Sequence, residues 1–138
     1  MNTTLIDRFQ AAGLRATPKR MAIGGLFFDG VDRHVTADDV AVLARNAGVR
    51  VSLATVYNTL NQFVAAGMMK RITLDTDRTY FDTNVSDHHH LFFEDGGRLH
   101  DIPGHSVRVE GLPEIPEGAE VSSIEVIVRM KNAGTGKA

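Results

Sequence analysis

Three adjacent histidines, His88, His89 and His90, are the residues of this sequence best suited to chemistry. They are half of the chain's six histidines and lie inside the chain, between Asp87 and an apolar run that begins at Leu91. In an extended strand, successive side chains point to opposite faces. His88 and His90 can therefore share one metal ion, while His89 faces away from it.

A stable metal site needs more donors than two imidazoles. The chain has no cysteine, which excludes disulfides, thiolate zinc sites, thiol nucleophiles and cysteine-ligated haem. Imidazole, carboxylate and water remain as ligands. Asp82, which ends a predicted strand, and His34, placed in a loop ahead of a predicted helix, are the candidates; a surface loop residue is the other interpretation of His34. His100 and His105 are interpreted as surface residues, with His105 also able to line a loop site.

The elements that must position these residues begin with helices. Apolar residues recur at helical intervals from Leu5 to Ala12, and Gly13 follows as a stop. Thr17 followed by Pro18 is typical of a helix start and predicts a second helix that continues to Phe27. A third helix is predicted over residues 36–46, because its first residues follow the capping-box pattern.

A fourth helix is predicted after Ser52, with an unusual face opposite its apolar one. The apolar face consists of Leu53, Val56, Leu60, Phe63 and Val64. The opposite face is polar but uncharged and consists of Thr55, Asn58, Thr59 and Gln62. Two helices joined by a short turn, the second with such a face, are typical of a helix-turn-helix that reads base edges in the major groove.

A β-hairpin is predicted next, from Lys70 to Leu74 and from Arg78 to Asp82, around the turn at residues 75–77. Three helices followed by a hairpin describe a winged helix. Lys70, Arg71 and Arg78 are then candidates for phosphate contacts beside the groove. A winged helix used only for protein contacts is the alternative.

The second half of the chain has the alternating pattern of strands. Strands are predicted at residues 91–93, 99–102, 107–109 and 121–130, with turns at residues 94–97 and 111–118. Four short strands make too small a core to stand alone, so a homodimer is expected. The sequence thus predicts an α+β chain: a winged helix-turn-helix DNA-binding domain over 1–82, a hinge over 83–87, a small β-rich dimerisation and metal-binding domain over 88–131, and a disordered tail over 132–138.

Composition sets the broad class. The 138 residues are 43% hydrophobic, and no apolar run is long enough for a membrane span or a signal peptide, so we expect a cytoplasmic protein with no membrane partner. The net charge of −2 hides an asymmetry. Residues 1–82 carry +2 and residues 83–138 carry −4, which chance or a basic binding half can explain.

Two rival classes also use these residues. Histidine and carboxylate ligands can support a hydrolytic metal enzyme, but no acid–base pair or nucleophile accompanies them, and we do not expect an enzyme. A DNA-binding regulator with a purely structural metal is the other rival. DNA binding with the metal removed separates these readings.

In order and spacing, four stretches of the sequence resemble the ferric uptake regulator family. They are GLRATPKR from Gly13, HVTADDV from His34, ATVYNTLNQF from Ala54, and the histidine run. The resemblance implies a dimeric, metal-responsive transcription regulator that binds double-stranded DNA. It places a divalent metal (Fe, Mn or Zn) at a hinge site formed by His34, Asp82, His88 and His90, with Asp82 where glutamate is common.

The resemblance also implies the DNA contacts. Arg15 corresponds to a basic residue that enters the minor groove, and Ser52, Thr55 and Tyr57 correspond to recognition-helix contacts. The full predicted set is Arg15, Lys19, Ser52, Thr55, Tyr57, Asn58 and Arg71. Asn58 replaces a frequent arginine. Phe93 and Gly96 stand where many members have a Cys-x-x-Cys zinc site, so no structural cysteine-ligated zinc is expected.

Four features resemble the iron response regulator branch of the family: the absence of cysteine, the stretch TVYNTL that starts at Thr55, the triple histidine, and the loop LPEIPEG that starts at Leu112. That branch implies control of iron-use and haem-synthesis genes, with DNA binding favoured at low iron and relieved by haem. Haem or a haem-synthesis protein is then a further partner. His89, Asp87 and His105 are the candidates for a haem or second metal site. The alternatives are a repressor that binds DNA when loaded with a divalent metal, and a zinc- or manganese-sensing member.

Overall fold

The computed structural model describes residues 4–74 and 78–132. The chain divides into two compact units, with the boundary between Val85 and Ser86. Unit 1, before the boundary, contains α1 (Leu5–Ala12), α2 (Pro18–Gly24), β1 (His34–Val35), α3 (Ala37–Asn46), α4 (Leu53–Ala65), β2 (Lys70–Thr73) and β3 (Thr79–Asp82). Unit 2 contains β4 (His88–Phe93), β5 (Arg98–Pro103), a 3-10 turn (Gly104–Ser106) and β6 (Ile127–Met130).

A hydroxyl side chain caps the start of each helix. Each accepts the backbone N–H three residues further on, and these caps are Thr4, Thr17, Thr36 and Ser52. Asp7 and Asp39 complete reciprocal capping boxes on α1 and α3. Such caps satisfy backbone donors that a helix leaves unpaired at its start. The predicted starts of all four helices are therefore confirmed.

The predicted extent of α2 is wrong, because the helix ends at Gly24 rather than near Phe27. The chain tightens there: the N–H of Leu26 donates to the carbonyl of Ile23 at 3.1 Å, and the N–H of Phe27 donates to that of Gly24 at 3.2 Å. Gly24 is also tightly packed, since a Cβ at this position would lie 3.3 Å from the Phe28 ring. A glycine pair at the helix end thus lets two phenylalanines turn into the core.

Four aromatic rings form the centre of unit 1. Phe9 and Phe63 have ring centroids 5.6 Å apart, and Phe28 lies 5.4 Å from Phe63. Phe27 contacts both Phe28 and Phe63. This cluster joins α1, α4 and the segment after α2, and it holds α4 against the body of the unit.

The sheet of unit 1 has the order β1-β3-β2 and is antiparallel throughout. The predicted hairpin is confirmed as β2 and β3; its turn, residues 75–77, lies outside the described residues. The placement of His34 in a loop is wrong. His34 belongs to the two-residue strand β1 and pairs with Asp82 of β3. A strand this short has too few residues to show a period of two in the sequence.

The sheet of unit 2 has the order β5-β4-β6. β4 and β5 are antiparallel, and β6 pairs with β4 in parallel from His90 opposite Ile127. The strand predicted at residues 107–109 is absent, and only the last four residues of the strand predicted at 121–130 form one. With this register, residues 121–124 fall beyond the start of β4, so that edge of β4 offers them no strand partner.

Two further expectations concern the ends of the chain and membranes. Of the predicted disordered tail, residues 133–138 lie outside the described residues. Within residues 4–74 and 78–132, no helix has the length and apolar character to cross a bilayer.

Candidate metal centre and nucleic-acid interface

The first set of candidate metal donors lies on the sheet of unit 1. The β1–β3 register places His34 opposite Asp82, and the Nε2 of His34 lies 3.2 Å from Oδ2 of Asp82. Asp82 is fully buried, and its other oxygen, Oδ1, accepts the backbone N–H of Asn84 at 2.8 Å. This hydrogen bond orients the carboxylate and leaves Oδ2 directed at the imidazole, in the way that outer contacts orient metal ligands.

The second set of donors lies in unit 2. His88 and His90 are on the same face of β4, with ring centroids 4.6 Å apart, as the alternation of a strand requires. Oδ1 of Asp101 lies 3.3 Å from Nε2 of His88 and 3.5 Å from Nε2 of His90. Two imidazole nitrogens and one carboxylate oxygen thus converge, and their donor atoms lie within 4.8 Å of one another.

Hydrogen bonds give His88 and His89 opposite tautomers. Nδ1 of His88 lies 2.6 Å from the carbonyl of Ser86, and a carbonyl can only accept, so Nδ1 carries the proton. In neutral His88 the lone pair is therefore on Nε2, the atom that faces Asp101. Nδ1 of His89 accepts the N–H of Val126 at 2.9 Å, so its proton is on Nε2.

The arrangement around His89 does not fit its prediction as a haem ligand. To bind iron through Nε2, His89 would have to give up the proton there or break its bond to Val126. His89 is also buried, with 8% of the residue's surface exposed. Asp87 and His105 are exposed, His105 in the 3-10 turn after β5.

Sequence reasoning missed Asp101. A signal was present, because the predicted turn at residues 94–97 closes on Phe93 opposite Arg98. Antiparallel pairing counted back from that turn places His90 opposite Asp101. Asp101 of β5 is therefore the carboxylate that strand pairing places beside His90 of β4.

A cleft between α2 and α4 collects three of the seven predicted DNA contacts, namely Lys19, Thr55 and Asn58. The cleft has a volume of about 540 Å³. The hydroxyl of Ser52 is occupied within the helix start, since it accepts the N–H of Thr55 at 3.1 Å. Arg15 is exposed just before α2.

The polar face of α4 is narrower than predicted. Thr59 is only 3% exposed and is therefore a core residue rather than a base contact. Gln62 is engaged by Arg20, whose Nε donates to Oε1 of Gln62 at 3.0 Å and whose Nη1 donates to the carbonyl of Arg15 at 2.9 Å. Leu53, predicted on the apolar face, is 43% exposed, because the first turn of α4 projects beyond the core.

A chain of ring contacts links α4 to the hairpin. The ring of Tyr57 meets that of Phe81 edge-on at 6.5 Å, and the guanidinium of Arg71 lies over the Phe81 ring at 6.0 Å. Arg71 also donates to the side chain of Asn61 on α4. Phe81 is buried and precedes Asp82, so the strand that carries a metal donor also supports a residue predicted to read DNA.

An ion pair stabilises the loop ahead of β1. The side chain of Arg33 donates to both carboxylate oxygens of Asp29, with the closest contact at 2.5 Å. This hydrogen bonding lowers the pKa of Asp29 to about 2 and raises the pKa of Arg33. The same arginine's backbone N–H donates to the hydroxyl of Thr83 at 2.9 Å, which fixes the start of β1 beside the end of β3.

A winged helix whose α4 has a polar, uncharged face, combined with candidate histidine and carboxylate metal donors, is typical of metal-binding helix-turn-helix proteins. The chain belongs to the ferric uptake regulator family of metal-responsive transcription regulators: the family model matches residues 11–129. This confirms the resemblance at the level of the family and agrees with the predicted α+β fold class.

Comparisons with individual proteins agree. The chain is 37% identical over 91 residues to the ferric uptake regulation protein of Cupriavidus metallidurans, covering 65% of this chain and 64% of that one. It therefore spans slightly less than two thirds of that relative's length. It is 31% identical over 122 residues to the peroxide operon regulator of Bacillus subtilis, covering 88% of this chain and 80% of that one. The ferric uptake regulator of Pseudomonas aeruginosa, solved with manganese, superposes with a TM-score of 0.70 at 26% identity, covering 95% and 99% of the two chains.

Proposed function

We propose that this chain is a homodimeric transcription regulator whose affinity for its DNA operator depends on a divalent metal ion. The ion is held by His34 and Asp82 of unit 1 together with His88, His90 and Asp101 of unit 2. The observation that carries the proposal is the tautomer and orientation of the His88 ring. Its Nδ1 proton is held on the Ser86 carbonyl, and its Nε2 lone pair is directed at a carboxylate oxygen.

The donor chemistry supports a metal rather than a set of ion pairs. Within each set, an imidazole Nε2 lies 3.2–3.5 Å from a carboxylate oxygen, a distance longer than a strong charge-assisted hydrogen bond. A divalent ion supplies the positive charge that such convergent donors need. Mixed imidazole and carboxylate ligands suit iron, manganese or zinc.

β3 connects the proposed metal ligand Asp82 to the predicted DNA contact Tyr57. Asp82 and Phe81 are consecutive in that strand, and Phe81 packs against Tyr57 of α4. Because Asp82 is buried and held by the N–H of Asn84, a change in its position moves the strand rather than the side chain alone. The chain's own residues thereby connect metal occupancy to the orientation of Tyr57 at the DNA surface.

The homodimer is supported by the surface of unit 2. Apolar side chains there are between 40% and 52% exposed, and they are Val109, Leu112, Ile115, Val121, Ile124 and Val128. Exposed apolar residues in such number are typical of a surface that another chain covers. A second copy of this chain is the occupant that would also pair two DNA-binding units for a symmetric operator.

The direction of regulation is the finer part of the proposal. The cysteine-free sequence, the histidine run and the loop from Leu112 to Gly118 favour regulation in which DNA binding prevails at low iron and haem relieves it. No haem ligand is assigned, since His89 does not fit that role. The alternative is a repressor that binds DNA when loaded with iron, manganese or zinc; its support is the family relationship and the manganese-containing structural relative.

The first experiment measures bound metal in the purified protein and in three variants, His88→Ala, His90→Ala and Asp101→Ala. We expect at least about a tenfold loss of metal affinity in each, as for removal of a contact that holds or orients a metal. His100→Ala is the matched control, because His100 is exposed, lies next to Asp101 and has its ring against Phe93. Unchanged metal affinity in the three variants would contradict the site.

The second experiment measures operator affinity with the metal removed by a chelator and then restored. An operator can be selected from random duplexes with the protein itself. Loss of DNA binding on chelation supports the metal-loaded repressor, and gain of binding supports the reversed regulation. Equal affinity in both states would remove the sensory role and leave the metal structural.

A further inference from the structure

A second cleft borders the start of α4, and Ser52 is the one predicted DNA contact in its lining. It has a volume of about 820 Å³ and lies between the end of α3 and the first turn of α4. Its lining includes Arg45, Arg50, Ser52 and Leu53. Both arginines are exposed, and neither forms an ion pair or side-chain hydrogen bond with any residue that the structure describes.

Stabilisation of a helix end accounts for the position of only one of these two arginines. Arg45 lies in the last turn of α3, where a positive charge complements the helix dipole. Arg50 lies in the turn between the helices, two residues before the cap of α4, and has no such role. Asp38 also lines the cleft, so the net charge of its lining is +1. Two exposed guanidinium groups thus lie beside the start of α4.

The two clefts lie along the same helix start. Thr55 lines the cleft that contains Lys19 and Arg20, whereas Ser52 and Leu53 line the cleft that contains the arginine pair. A helix with its side chains is about 10–12 Å wide, and the major groove is about 12 Å wide. A helix that enters the groove therefore has one phosphate backbone on each side.

We propose that Arg45 and Arg50 bind phosphodiester groups of the DNA backbone, on the strand opposite the one that Lys19 approaches. This inference rests on the proposed function, because it requires α4 to enter the major groove. Arginine suits the role, since its guanidinium group donates two parallel hydrogen bonds to phosphate oxygens. The contact fixes the register of α4 in the groove and carries no base preference of its own.

The test is the salt dependence of DNA binding by the full-length protein. The logarithm of affinity is measured against the logarithm of salt concentration for a duplex selected by the wild-type protein and for a scrambled duplex of the same composition. Arg45→Gln and Arg50→Gln should each reduce the slope by about one, because each phosphate contact contributes about 0.9. The loss of affinity at a given salt concentration should be equal for the two duplexes.

Two further variants give the controls. Arg45→Lys should retain the slope, since lysine also neutralises a phosphate. Arg108→Gln removes the same charge from a side chain of unit 2 that is 87% exposed, and it should leave the slope unchanged. Metal content should be the same in all variants, because both arginines are distant in sequence from every proposed ligand.

The outcomes separate the two proposals. If the wild-type protein binds duplexes and the slope is unchanged in both glutamine variants, the arginine contact is wrong and the proposed function stands. If Arg108→Gln lowers the slope equally, the effect is one of net charge and the contact is again wrong. If the wild-type protein binds no duplex in either metal state, both proposals fail together.

Discussion

The two units of the chain bury different kinds of side chain. In unit 1 the fully buried positions are mostly large apolar residues, such as Phe9, Phe27 and Phe63. In the described part of unit 2, Phe92 is the only buried hydrophobic residue, and the other buried side chains are the three histidines of β4. Unit 1 therefore has an apolar core, whereas most of the buried side chains of unit 2 are the histidines of β4.

The difference indicates where each unit finds its stability. Apolar burial stabilises a domain by about 25 cal/mol per Å² removed from water, and unit 1 collects most of that burial within its own chain. Unit 2 buries much less apolar surface within its own chain, so we expect a second copy and a metal ion to contribute to its stability.

The largest expected effect tests the core of unit 1. Phe63→Ala should lower the free energy of unfolding by about 3–5 kcal/mol, because it removes a ring that contacts three other phenylalanines. Denaturant unfolding followed by circular dichroism measures this change. Val31→Ala, at a position 59% exposed, is the control and should change little. A loss below about 1 kcal/mol in Phe63→Ala would mean that the aromatic cluster is not the stabilising centre.

The next prediction concerns the polar strand of unit 2. His89→Ala should destabilise this unit by about 1–3 kcal/mol, because it leaves the backbone N–H of Val126 without its acceptor. Metal content should stay at the wild-type level, whereas His90→Ala should lower it. Metal analysis beside thermal unfolding separates the two effects. Equal metal loss in both variants would show that the opposite faces of β4 do not divide the histidines.

The exposed apolar surface of unit 2 provides a third comparison. Ile124→Asp should raise the dissociation constant of the homodimer by about tenfold or more, equivalent to about 1.4 kcal/mol, because it places a charge on a surface that we expect to be covered. Sedimentation at several protein concentrations measures it. Val31→Asp adds the same charge to unit 1 and should leave the dimer intact. An unchanged dimer in Ile124→Asp would locate the interface elsewhere.

The smallest effect belongs to the surface of unit 1. The hydrogen bonds from Arg33 lower the pKa of Asp29 from 3.8 to about 2. Because the folded pKa is depressed, this pair stabilises the fold above about pH 3.8, and the contribution is lost as the pH falls toward 2. The side chains are exposed, so the effect is small and screened by salt. An NMR titration should show the pKa of Asp29 returning toward its ordinary value in Arg33→Gln; an unchanged pKa would contradict the pairing.

Much of unit 1 could be predicted from local sequence. Helix starts depend on a hydroxyl residue and the next three positions, so Thr4, Thr17, Thr36 and Ser52 could be recognised without any long-range contact. The division of His88 and His90 from His89 likewise follows from the alternation of a single strand. These features are local, and the fold preserves them.

The errors arose where a residue's role depends on a neighbour far away in the chain. Thr59 lies on the polar side of α4 by periodicity, yet other elements of unit 1 cover it. The apolar run from Val121 alternates as a strand does, but only the part opposite β4 finds a partner. Backbone pairing needs a free edge at the right distance, and no local pattern contains that information.

The sequence alone determined the family, the helix starts, the winged-helix order and the donor chemistry of a site without thiolates, because residue types and short spacings specify these. The tertiary structure decided the rest. It placed His34 on a strand beside Asp82, added Asp101 to the histidines, and gave neighbouring imidazoles opposite tautomers through Ser86 and Val126. Apart from the local contact between His88 and Ser86, those outcomes depend on strand register, and register is set by pairing between segments that are distant in the sequence.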